Sequence, residues 1–170
     1  MSEVDIAVDP PRPSFWKRRI VAPIAAQLAQ GIAPQKVALT LALGVVLGTF
    51  PILGSTMLLC GLAAILFKLN QPIIQLVNYF AYPVQIALLI PFYRAGETLF
   101  GKTHIPLSIP LLFHQFSANA WQFLKDFSLV AVQGIVVWLL IAPFAATAIF
   151  YTTLPPLRLL AVRLQPRSIR

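Results

Sequence analysis

Acidic side chains are what this sequence has least of. Five Asp and Glu stand among 170 residues, at Glu3, Asp5, Asp9, Glu97 and Asp126. They are too few and too scattered to form the paired carboxylates of general acid–base catalysis, and no nucleophile elbow or phosphate-cradling glycine loop occurs. No enzyme is expected. A single cysteine, Cys60, excludes an internal disulfide framework and any cysteine-rich zinc site, and reads as a packing residue. His104 and His114 lie ten residues apart with neither carboxylate nor thiol nearby, so no metal and no cofactor are expected. Charge of either sign is scarce at 11%, against roughly 25% in a soluble domain.

What is present is apolar. Hydrophobic residues make up 58% of the chain and the mean hydropathy is +0.80. A soluble protein this small could not cover its surface with so few charges, so the natural solvent is a bilayer. Thirteen Lys and Arg give a net charge of +8, and Lys17, Arg18, Arg19, Arg163, Arg167 and Arg170 lie near the two ends. That placement suits anionic lipid headgroups as partners. Nucleic acid is not expected, because the basic ends lack aromatic interleaving and a soluble domain.

Residues 1–14 form a polar, proline-rich opening that reads as a flexible tail; residues 15–157 read as a membrane domain and 158–170 as a basic C-terminal tail. The stretch Phe15 to Ala33 places basic residues before a modest apolar run and reads as an interfacial helix rather than a cleaved signal. Val37 to Phe67 then contains no charge for 31 residues. As one straight helix it would be about 46 Å long, beyond the roughly 30 Å hydrocarbon core. Pro51 lacks an amide proton and Gly54 tolerates positive φ, so the run should break near them into two halves of about 20 Å. Asn70 and Pro72 mark a second turn, and Ile73 to Tyr93 a full span, with kinks expected at Pro83 and Pro91. Apolar residues at three- and four-residue steps from Ile109 to Phe127 predict an amphipathic interfacial helix. Leu129 to Leu154 reads as the last span.

Charge chooses between two topologies. With Val37 to Phe67 as a hairpin, nine basic residues (17, 18, 19, 36, 68, 158, 163, 167 and 170) share the side of both termini and three (94, 102 and 125) lie opposite; with a single bent span the split is seven to five. The positive-inside rule favours the hairpin and cytoplasmic termini. The expected fold is thus an all-α integral membrane protein, with a re-entrant or broken helical hairpin plus two transmembrane helices and interfacial amphipathic helices. So small a set of spans encloses little alone, which points to a homo-oligomer or a larger membrane partner.

From residue 33 to 101 the chain carries Pro34, Ala38, Gly44, Gly48, Pro51, Gly54, the pair Asn70 and Pro72, then Pro83, Pro91, Tyr93 and Gly96. In order and spacing this resembles the bacterial membrane family known as domain of unknown function 2062. Two positions depart from the family pattern. Ser55-Thr56 stands where a Gln-Thr pair is usual, and Tyr82-Pro83 where Asn-Pro is. The resemblance implies a helical protein of the bacterial inner membrane and brings no activity with it.

Candidate function centres on the break. Two half-helices meeting inside a membrane expose carbonyls at one end and amides at the other, and the amide end carries partial positive charge. Gly54, Ser55 and Thr56 could there bind a lipid phosphate or a carboxylate, or Ser55 and Thr56 could simply cap the second half-helix. Gly44 and Gly48, with Gly61 beyond the break, read as close-packing positions within the hairpin. Asn78 and Gln85, seven apart on one face, with Gln133 in the last span, are polar groups that turn inward for structure or line a path. Arg94 and Glu97 are spaced for a structural ion pair. The substrate-binding candidates are therefore Ser55, Thr56, Asn78 and Gln85, and the hinge and packing candidates Gly44, Gly48, Pro51 and Gly54. The expected function is binding or translocation of a lipid or small anionic solute. The alternative is a non-catalytic scaffold that recruits an envelope-assembly partner.

Overall fold

Proline and asparagine set the helix starts. In the computed structural model, which describes residues 21–101, 117 and 119–164, α1 spans Ala22–Ala29 and α2 spans Pro34–Gly48, each with proline in its first turn, where the missing amide costs nothing. After the break, α3 runs Thr56–Leu66. Asn70 caps α4, Gln71–Leu99, by accepting the Ile73 amide at 3.0 Å. The last helix, α5, is Ala120–Leu164, 45 residues and about 67 Å long. No strand occurs among the described residues.

Several elements differ from the sequence expectation. The stretch Phe15 to Ala33 is not one helix: α1 stops at Ala29, and Gly31, at φ +81°, closes it as the Ile32 amide reaches back to the Gln27 carbonyl at 3.1 Å. At the other end, Asp126 does not end one helix and Leu129 does not start another. No glycine or proline stands between Ala120 and Gln133, and an amphipathic and an apolar segment share the same 3.6-residue period, so both fuse into α5. The helix continues through Pro143, Pro155, Pro156, Arg158 and Arg163. Of the amphipathic helix expected from Ile109 to Phe127, the part from Ala120 onward is the start of α5, while residues 109–116 and 118 lie outside the described residues, as do the opening tail, His104 and His114. Pro83 and Pro91 sit inside α4 without ending it.

Packing brings α2 to the centre. Gly44 faces Val77 and Ile74, and Gly48 faces Ala81 and Asn78, so α2 and α4 run parallel. A Cβ on either glycine would stand 2.8 Å from the Val77 or Ala81 Cβ. The glycines therefore admit α4, and not α3 as the hairpin reading expected. Gly61 of α3 lies against Gln71, and Gln75 Nε2 donates to the Met57 carbonyl at 2.9 Å, so α3 returns antiparallel along the first turns of α4. On α5, Gly134 meets Tyr93 while Leu154, Leu157 and Ala161 pack with Val37, Ala38 and Leu28, which makes α5 antiparallel to both α2 and α4. Cys60 is buried with Ala63, Ala64 and Ile74. Two helices, α4 and α5 from Phe127 onward, are long and apolar enough to cross a membrane.

Candidate functional site

The break at residues 49–55 leaves backbone carbonyls without helical partners, and other elements supply donors for them. Pro51 has no amide and is fully buried, and Gly54 takes φ +85° to turn the chain into α3. Gln85 of α4, only 1% exposed, donates Nε2 to the Phe50 carbonyl at 2.8 Å and to the Ile52 carbonyl at 3.4 Å. Tyr93 donates its hydroxyl to the Pro51 carbonyl at 2.8 Å. From α5, Trp138 donates Nε1 to the Val46 carbonyl at 3.3 Å and sets its ring edge-on to Phe50, centroids 5.0 Å apart. An orphaned buried carbonyl costs about 1–3 kcal/mol, which Tyr93 offsets at Pro51; Gln85 and Trp138 add further bonds to carbonyls that also accept from the Ile52 amide, the Ser55 hydroxyl and Thr49.

The amide end is treated differently. Ser55 stands at the N-cap of α3 but makes no capping bond; its hydroxyl donates back to the Ile52 carbonyl at 2.8 Å. The capping role open to Ser55 in the sequence is thus not the one it takes. Thr56 is buried at the first position of α3. Nothing lies within 4 Å of where a Cβ on Gly54 would stand, and Leu53 beside it is half exposed. The first amides of α3 consequently receive no side-chain oxygen from the N-cap.

Of the four substrate-binding candidates, Ser55 and Gln85 converge on the Ile52 carbonyl and Thr56 adjoins them. Asn78 does not join them. It is buried two turns earlier in α4, donates Nδ2 to Gln75 Oε1 at 3.4 Å and packs under Gly48. Among the hinge candidates, Pro51 and Gly54 form the break while Gly44 and Gly48 form the α2–α4 contact. Sequence reasoning did not find Tyr93 or Trp138 as donors. It also missed Gly134, which lacks the Cβ that would meet Tyr93 Cδ1 at 2.6 Å. Tyr93 entered the sequence reading only as the end of a span and as one of the positions shared with the family pattern.

Arg94 and Glu97 form the expected i,i+3 pair at 3.0 Å, but Glu97 is buried while Arg94 is one-third exposed. Next to Glu97, Gly96 lets α4 close on the Gln133 backbone. No cluster of three or more His, Cys, Asp or Glu occurs among the described residues. Neither a curated protein nor a solved structure matches the chain. Residues 18–164 match a family model, and the chain therefore belongs to the family described as uncharacterized protein conserved in bacteria (DUF2062).

Proposed function

We propose that this is an integral protein of the bacterial cytoplasmic membrane, non-enzymatic, with both termini cytoplasmic, which binds or translocates a lipid or small anionic solute at the broken helix. The membrane part is supported by the two long apolar helices and by Leu58, Ile65, Phe144 and Val162, which are between 72% and 78% exposed and suit lipid contact. Re-entry is supported by the antiparallel return of α3, which carries Lys68 back to the end of the bundle where α2 and α4 begin. Lys36, Lys68, Arg158 and Arg163 then share one end, in keeping with the positive-inside rule.

One observation carries the binding reading. The protein fills the carbonyl side of the break with its own donors and leaves the amide side of α3 without a side-chain cap. An anionic group is the complement of such an end. The test uses glycerol 3-phosphate as a soluble probe, titrated calorimetrically into the purified full chain. Wild type and Ser55→Ala, which keeps the amides open, should bind; Ser55→Asp, whose carboxylate occupies them, should lose at least tenfold in affinity. Equal binding by Ser55→Ala and Ser55→Asp, or none by wild type, refutes the reading.

The scaffold reading is favoured by the same three donors seen from the other side. They tie residues 46–52 to both α4 and α5 and leave the hairpin held, as a rigid anchor would be. A homo-oligomer or a larger membrane partner would then form around it. In that case Ser55→Asp leaves the phenotype intact, whereas reversing Arg158 and Arg163 to Glu removes it.

A further inference from the structure

A groove of about 230 Å³ runs between α1, α2 and α4, away from the break's hydrogen bonds. Its lining residues are all apolar and include Pro23 and Ile24 of α1, Val45 of α2, and Val77, Phe80 and Val84 of α4. Along α4 it extends from Ile73 to Val84, about 17 Å at the helical rise. Phe80 and Val84 are partly exposed, 37% and 49%, so the groove is open along α4.

Charge marks one end of this groove. Ile73 lies in the first turn of α4, five residues after Lys68. Because α2 runs parallel to α4, Lys36 in its first turn lies at the same end; because α5 runs antiparallel, so do Arg158 and Arg163. The acids among the described residues, Glu97 near the end of α4 and Asp126 near the start of α5, occupy helix segments at the opposite end. Among the described residues, four cations and no acid lie at the end of the bundle where the groove's Ile73 end lies. An apolar slot with a cationic rim is complementary to an amphiphile with a negative head.

We infer that the groove between α1, α2 and α4 holds one acyl chain of an anionic phospholipid, with the phosphate at the end ringed by Lys36, Lys68, Arg158 and Arg163. The inference rests on the chain's being embedded in a membrane and not on the amide site of α3. The full chain, extracted in mild detergent and stripped of lipid, is offered an equimolar mixture of phosphatidylglycerol and phosphatidylcholine and weighed by native mass spectrometry. Wild type should retain phosphatidylglycerol at least tenfold over phosphatidylcholine. Val84→Trp, whose indole fills a half-exposed position of the slot, should lower that retention at least fivefold. The joint variant Lys36→Gln, Lys68→Gln and Arg158→Gln should lose the preference while still taking up lipid. Independently, Phe80→Trp should add fluorescence that chain-brominated phosphatidylglycerol quenches beyond the wild-type level, which serves if Val84→Trp does not fold. Undiminished retention by a folded Val84→Trp, absence of the wild-type preference, or no added quenching overturns the inference. Recovery of the chain in the soluble fraction would instead end the membrane reading itself.

Discussion

Gly134 on α5 and Tyr93 on α4 fit together because one of them has no side chain. A Cβ at 134 would stand 2.6 Å from Tyr93 Cδ1, and the space left open lets the Tyr93 hydroxyl reach the Pro51 carbonyl at 2.8 Å. A backbone position on the last helix thus governs a hydrogen bond to the break more than 80 residues earlier.

Gly134→Ala should therefore destabilise the protein by about 1–3 kcal/mol through overpacking. Tyr93→Phe, which removes only the hydroxyl, should cost about 1 kcal/mol. If the two act through one bond, the double variant costs less than their sum, and thermal unfolding in mild detergent measures the difference. Strict additivity would show that Gly134 serves some other contact.

Gln85→Leu keeps the volume and removes the donor that two carbonyls share. The Ile52 carbonyl retains Ser55, and the Phe50 carbonyl retains only the Ile52 amide at 2.9 Å. A loss of about 1–3 kcal/mol is expected. Amide exchange confined to residues 50–55 should accelerate before the rest of the chain responds, since the break is held from outside and not by its own ladder.

Gly48→Ala places a methyl group 2.8 Å from the Ala81 Cβ and 3.1 Å from Asn78 Oδ1. It should push α2 from α4 and lower the melting temperature. Ala81→Gly removes the closer of the two contacts, so the pair should recover part of the loss. Ala81→Gly with wild-type Gly48 should only destabilise, by leaving a void.

Topology is accessible through single cysteines at positions 36, 52, 68, 94 and 158, placed in a Cys60→Ser background. Reagents added to intact inverted and right-side-out vesicles should reach 36, 68 and 158 from one side and 94 from the other. Labelling of 68 opposite to 36 would make Val37 to Phe67 a single bent span. Ile52 is 38% exposed at the break, and its reactivity toward a charged reagent would place water there.

Local signals gave the turn at Asn70 and Pro72 and the break at Pro51 and Gly54, because the backbone constraints of proline and glycine act over three or four residues. The partners of the break were hidden for the opposite reason. Gln85 was visible as an inward polar group, but nothing within α4 says that it faces Phe50, 35 residues away. Gly44 and Gly48 announced a close approach without naming the approaching helix. Lys68 adopts φ +51°, a conformation that composition assigns to glycine, so the tight end of α3 has no sequence marker. The fusion of two periodic segments into α5 was equally unreadable, since helical period alone does not record where one helix stops.

The donors that close the break arrive late in the order of synthesis. Phe50 waits for Gln85 across 35 residues, Pro51 for Tyr93 across 42, and Val46 for Trp138 across 92. At roughly 5–20 residues per second, the last interval is about 5–18 s on the ribosome. Until α4 emerges the Pro51 carbonyl has no partner, while the Phe50 and Val46 carbonyls have only local ones, from the Ile52 amide and from Thr49. The nascent hairpin is therefore incompletely paired in an apolar phase until α4 emerges, so a chain truncated before α4 should be retained by the insertion machinery.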